Sequence, residues 1–169
     1  MAVPPNLVPF ITSTGLPEPA SYGVDSQQQL DADIFRDHLK LQNPVTFARE
    51  LRAYMVQGWQ DMSATLVDIA ADADLLLAGT TYQEVAGNVA EYFDIPLAAL
   101  HYFPFRPNRQ VVPVPLPLPV IRRGFALGEW AHWRVLKQAE DIQRQALGLA
   151  PAKVRAIRRM LDRGALEIQ

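Results

Sequence analysis

Two short stretches carry the residue types that could do chemistry in this chain. The first is Gly79-Thr80-Thr81-Tyr82, and the second is His101-Tyr102-Phe103-Pro104-Phe105-Arg106. Each directly follows a short apolar run, Leu75 to Ala78 and Leu97 to Leu100. A histidine at the end of a buried strand can bind a substrate hydroxyl or take its proton. The competing role for His101 is a hydrogen-bonded residue closing a sheet end, and no carboxylate is adjacent to it. Tyr82 and Arg106 fit the lining of a binding cleft, and equally a turn aromatic and a loop-solvating cation. Phe103, with Tyr102 and Phe105, can form one wall of an apolar pocket or pack the following loop onto the sheet.

These residues need a frame, and the sequence between them supplies one. From Ala71 to Pro107 the pattern reads as buried strand, tight turn, amphipathic helix, Ile95-Pro96 stop and second buried strand. That is a βαβ crossover, the unit of a parallel sheet. Such sheets present ligands at the carboxyl ends of their strands, where both polar stretches fall. Continuous apolar strands further predict helices on both sheet faces. The fold class expected is α/β, a partial Rossmann-like domain with a short parallel sheet and several long helices.

The flanking elements follow from periodicity and punctuation. Leu7, Phe10 and Ile11 before Gly15 predict a short opening helix with no strand ahead of it. Residues 17–24 read as a loop with at most a short strand. Asp31 to Leu41 reads as a helix with acid at its positive end. Asn43 and Pro44 open another, in which Phe47, Leu51, Tyr54, Met55, Trp59, Met62, Leu66 and Ile69 form one apolar stripe over about seven turns. Val111 to Pro119 is proline-rich and excludes a helix or central strand. A long helix from about Val120 to Leu147 and a short one from about Pro151 to Asp162 complete the pattern, with the start of a strand at Leu166 to Gln169.

Composition bounds the function. At 169 residues with 49% hydrophobic content, the chain is sized for one domain, residues 1–169, with a real core. A net charge of −2 gives no general attraction to nucleic acid. With no cysteine, thiolate nucleophiles and zinc–sulfur sites are excluded. No apolar run reaches the roughly 18 residues a membrane span needs. No basic-then-apolar leader is expected from the opening residues, and a cytoplasmic location is expected, with membrane-surface contact a further prospect.

Other features read most simply as structural. Asp31-Ala32-Asp33 and Asp72-Ala73-Asp74 spell D-x-D, but one opens a helix and the other precedes a strand, so dipole complementation and turning outweigh metal binding. No metal and no cofactor are expected. His38 and His132 fall within helices as surface or packing residues. Trp130 and Trp133 share a helical face, with core packing ahead of a membrane-surface role. Lys153, Arg155, Arg158, Arg159 and Arg163 surround one short helix, read as a solvated face or a contact for anionic lipid rather than a nucleic-acid module.

The helix Glu84 to Pro96 (EVAGNVAEYFDIP), the strand Asp74 to Leu77 before it, LAALHYFPFRPN after it, and the opening PPNLVPFITSTGLPEPASYG together resemble a known family. They are similar to the N-terminal, acceptor-binding domain of bacterial glycosyltransferases of the two-domain GT-B type, in the UDP-glycosyltransferase branch that glycosylates lipids, sterols and macrolides. The resemblance implies an incomplete N-terminal half, with strands expected before Val3 and after Gln169 and with the donor domain absent. The family's base histidine sits in an earlier segment, so the resemblance assigns no catalytic residue here. It implies an acceptor site including Tyr82, His101, Phe103 and Arg106, and a hydrophobic small molecule or lipid as acceptor. The chain alone is then expected not to turn over, and exposed strand edges predict self-association. The alternative is a non-catalytic truncated product or a module that binds a hydrophobic ligand or partner chain.

Overall fold

The computed structural model describes residues 1–31, 49–50, 52–53, 56–101 and 117–168. They belong to two compact units, Met1–Ala71 and Asp72–Gln169, each built around its own parallel strand pairing. Phe103, Arg106, His38 and residues 111–116 of the proline-rich segment lie outside the described residues, as do the expected helix from 32 to 41 and the first part of the long stripe. Leu118 and Pro119, expected to be excluded from helix, instead form the first turn of one, where a proline needs no amide partner.

In the first unit, β1 (Ala2–Val3) pairs in parallel with β2 (Ala20–Ser21), matching Ala2 to Ala20 and Val3 to Ser21. The expectation that no strand precedes the opening helix is thereby corrected. Two residues suffice for a bridge when the returning segment lies alongside, and the amide of Ala20 donates to the carbonyl of Met1 at 2.8 Å. Between the strands run a 3-10 turn (Pro5–Leu7) and helix α1 (Val8–Ser13), which ends before Gly15 at a φ of 75°. Helix α2 (Ser26–Asp31) starts five residues ahead of the expected helix. Asp25 caps it, its Oδ1 accepting from the amides of Gln27 at 2.8 Å and Gln28 at 3.1 Å.

The long apolar stripe is not one helix. Gly58 adopts a φ of 71° and stands as the N-cap of α3 (Trp59–Ala70). Left-handed backbone is costly for residues with a Cβ and free for glycine, so the chain turns there and restarts. The restarted helix keeps Trp59, Met62 and Leu66 of the expected stripe inward. Trp59, Met62, Ser63, Leu66 and Ala70 are buried, whereas Ile69, placed inward by the continuous stripe, is exposed. Gly23 lies against α3 so closely that a Cβ there would sit 3.1 Å from the Met62 sulfur.

The second unit contains the expected crossover. Strand β3 (Leu76–Ala78) leads to α4 (Gln83–Phe93) and β4 (Leu97–Leu100). Helices α5 (Leu118–Ala146) and α6 (Ala156–Asp162) then lead to β5 (Leu166–Ile168). The three strands lie in the order β3-β4-β5, all parallel, with Leu77 beside Ala98 and Ala98 beside Leu166. Helix α4 packs on β3, β4, α5 and α6. It closes at Asp94, whose φ of 53° lets the Ile95 amide reach back to the Ala90 carbonyl at 3.0 Å. That is the six-to-one bond of a Schellman end, with Pro96 preventing continuation.

Two further expectations are corrected here. Helix α6 begins at Ala156 and not near Pro151, because residues 151–155 run as irregular chain, in which the Ala152 amide donates to Asp141 Oδ1 at 3.1 Å and not along a helix. The sheet is not covered on both faces by the described residues. Pairing in a parallel ladder places Leu77, Leu100, Leu166 and Ile168 on one face, and all four are exposed. Leu97 and Ala99, on the face toward α4, are buried.

Among the described residues, no helix is long and apolar enough to cross a membrane.

Candidate functional site

The carboxyl end of the sheet is built by the turn after β3, the first turn of α4 and the end of β4. Ala78 and Ala99 form the last ladder pair between β3 and β4. Thr80 and His101 each lie two residues beyond it, so the sheet brings the two polar stretches to one edge. His101 is buried, and its amide donates to the Ile168 carbonyl of β5 at 2.8 Å. Tyr82 is half-buried and occupies a left-handed conformation with φ 58°, as N-cap of α4. Its carbonyl accepts from the amide of Val85 at 3.1 Å. Gln83 is buried, and its Nε2 donates to the Gly79 carbonyl at 2.9 Å, bracing the turn. Within this frame the Thr80 hydroxyl oxygen is buried with no hydrogen-bond partner among the described residues. Of the four acceptor-site residues read from the sequence, Tyr82 and His101 are thus placed at this edge. Phe103 and Arg106 lie outside the described residues.

Sequence reasoning missed a fifth participant. Glu84, in the first turn of α4, lies 3.0 Å through Oε1 from Nε2 of His132 on α5. The two are 48 positions apart, and no local pattern pairs a helix-start acid with a mid-helix histidine across that distance. His132 is part-exposed, as its reading as a surface residue allows. The hydrogen bond that the ring donates to Glu84 raises the imidazole above its ordinary value of 6.5 against an opposing desolvation, with Coulombic attraction adding to the rise. The carboxylate holds the ring through Nε2. A raised folded value means the tie stabilises fully below about pH 6.5 and is lost as pH rises through the folded value. For a pair this exposed the contribution is at most about 1 kcal/mol. Glu84→Gln is expected to bring the His132 titration down toward 6.5, followed by the ring proton shifts in NMR. An unmoved midpoint would dissociate the shift from Glu84.

Behind this edge lies a buried ionic network that fixes α4, α5 and α6 to one another. Arg144 on α5 grips Glu91 on α4 with two parallel bonds of 2.7 and 2.8 Å. It also donates to Asn88 Oδ1 at 2.9 Å and to the Ala150 carbonyl at 2.6 Å. Arg159 on α6 donates to the same Asn88 oxygen at 2.8 Å and to Glu140 at 2.6 Å. Glu140 also accepts from the Trp133 indole at 3.1 Å. Asn88, Glu140 and Gln143 are fully buried, and Gln143 accepts from Asn88 at 2.9 Å. Each buried charge therefore meets a partner, as burial requires. The basic residues of α6 resolve the same way. Arg155 pairs with Glu129 at 2.8 Å, Arg158 with Asp162 at 3.0 Å and Arg163 with Asp94 at 2.6 Å. Four of the five cations read from this helix thus meet acids of the same unit, and the short helix is neither a phosphate cradle nor a free basic face.

Asp72 and Asp74 are exposed ahead of β3, and no grouping of three potential metal ligands occurs among the described residues.

No family profile matches the chain. Whole proteins do. An uncharacterized glycosyltransferase of Mycobacterium tuberculosis is 48% identical over 170 residues, covering 100% of this chain and 41% of that protein. An uncharacterized glycosyltransferase of Mycobacterium leprae is 41% identical over 172 residues, covering 100% of this chain and 39% of its own length. An uncharacterized protein of Mycobacterium bovis is 45% identical over 173 residues, again with 100% of this chain covered and 40% of the relative. The chain spans about two fifths of the curated relatives it matches, and along its whole length it is similar to part of proteins named as glycosyltransferases.

Proposed function

We propose that this chain is the acceptor-binding portion of a glycosyltransferase of the two-domain GT-B type, and that alone it transfers no sugar. The observation that carries the reading is the similarity over 100% of the chain, at 48% identity, to a protein so named. The parallel sheet with its polar turn and buried His101 at the carboxyl edge supports it, since that edge is where such sheets take ligands. The acceptor proposed is a hydrophobic molecule bearing a hydroxyl, a lipid, sterol or macrolide. The Thr80 hydroxyl and Tyr82 meet its polar end, and Phe103 and Arg106 belong to the loop expected to flank it. In the whole enzyme the acceptor oxygen attacks the anomeric carbon of a nucleotide sugar. A base takes the hydroxyl proton as the bond to the nucleoside diphosphate breaks. The base and the donor site lie in the remainder. The proposed setting is the cytoplasmic side of the cell, with the edges of β3 and β5, unpaired among the described residues, available for self-association.

The test is calorimetric titration of the purified chain with hydroxylated lipids, sterols and macrolides, alongside transfer assays with uridine-diphosphate sugars. Binding of one acceptor class without transfer is expected, weakened about fivefold by Thr80→Val, the loss of one hydrogen bond. Transfer by the chain alone would overturn the division of labour. Silence toward every acceptor would overturn the site.

A further inference from the structure

Helix α5 is held to the second unit by one face only, through Ile121 and Leu136, which are buried. The opposite face of its first half is bare. At 100° per residue, Val120, Gly124, Leu127 and Ala131 fall in one row, with Arg123, Trp130 and Arg134 alongside. All seven are exposed, Leu127 at 65% and Trp130 at 51%. A Cβ added at Gly124 or Gly128 would meet nothing within 4 Å. The expectation that Trp130 packs in the core is thereby corrected, while Trp133, three residues on, turns to Glu140.

The charges on this face set it apart from α6. Arg123 and Arg134 form no ion pair among the described residues. The one acid from Leu118 to Lys137 is Glu129, which lies off the exposed row and pairs with Arg155 at 2.8 Å. A protein of net charge −2 thus concentrates unpaired cations around an exposed tryptophan and leucine.

We propose that this face of α5 seats on an anionic lipid bilayer. Apolar side chains between arginines suit the headgroup boundary, where a tryptophan ring lies half in hydrocarbon and arginine stems extend toward lipid phosphates. Charge complementarity selects this occupant over a second copy of the chain. A two-fold contact through the row would set Arg123 and Arg134 against the same residues of the partner. The helix lies on the surface and does not enter, since no described helix is apolar enough to span.

The test is flotation of the purified chain with vesicles of phosphatidylcholine alone and with about one third phosphatidylglycerol, at low and high salt. Binding only to anionic vesicles, reduced by salt, is the expected result. Replacing Arg123 and Arg134 by glutamine should weaken it about fivefold for each charge removed. Leu127→Gln with Trp130→Gln should abolish it. All four residues are exposed, so an unchanged urea midpoint will show that the variants remain folded. Failure to bind anionic vesicles, equal binding to neutral ones, or indifference to these substitutions would overturn the proposal. A dimer dissolved by the Leu127 and Trp130 changes would assign the face to a second copy instead. Acceptor titrations with a soluble macrolide do not depend on this face, so the two proposals fail separately.

Discussion

Replacing Arg144 by methionine is expected to lower the unfolding free energy by about 3–5 kcal/mol, the usual result of removing one partner from a buried pair. The size follows from what remains. Arg144 is 3% exposed and donates to Glu91, Asn88 and a backbone carbonyl. Methionine fills comparable space with no donors, so Glu91 keeps its charge without its fork and Asn88 loses one of two guanidinium contacts. A urea midpoint reads the loss, and Arg144→Met combined with Glu91→Gln should recover part of it, because the orphaned carboxylate is then removed. Equal stability of the single and double variants would show that the Glu91 charge is not the source. The pair also sets a pH dependence. The hydrogen bond from Arg144 lowers Glu91 below its ordinary 4.5, against the desolvation that raises it, with Arg144, Arg159 and Arg163 adding attraction. A depressed carboxylate stabilises fully above its unfolded value and loses that contribution as pH falls through the folded one. Acid unfolding of the wild-type chain should therefore steepen below about pH 4.5, and Arg144→Met should remove that part of the dependence.

Trp59→Ala is the second large effect, about 3–5 kcal/mol, in the other unit. Trp59 is the first residue of α3 and is buried to 2%. Met62, with no exposed surface, stands one turn on. Truncating the indole leaves a cavity that these neighbours cannot fill without moving α3 against the Gly23 turn, already in close contact with Met62. The check is again a urea midpoint, read by far-UV circular dichroism since the variant loses one of three tryptophans. A shift under about 1 kcal/mol would mean that the site collapses around the smaller side chain.

How much of this was legible beforehand depended on whether the governing interaction is local. The β3–α4–β4 crossover was, because apolar runs, Gly79 and Ile95-Pro96 encode strand, turn and stop within a few residues. Strands observed at Leu76–Ala78 and Leu97–Leu100 match within one residue. The break at Gly58 was not, since the apolar spacing runs through it unbroken and only the left-handed backbone reveals the restart. Nor was β1, whose two residues become a strand only because Ala20 and Ser21 return beside them. The carboxyl-edge location of Tyr82 and His101 was readable from strand order. The Glu84–His132 tie and the network around Asn88 were not, because the partners of the α4 residues lie 48 to 71 positions away, as with Arg144 and Glu91 at 53.

The handedness of the chain explains the bare leucines. Strands β3, β4 and β5 follow one another in the same direction across the sheet. Right-handed crossovers between parallel strands that advance one way all return over the same side. Helices α4, α5 and α6 pack together accordingly, α4 touching both of the others. No sequence change within these crossovers, however apolar, could bring a helix to the side of Leu77, Leu166 and Ile168 without reversing the winding. Among the described residues none of the helices between β3 and β5 covers that side, so chirality and not hydrophobic content decides on which half of this sheet they lie.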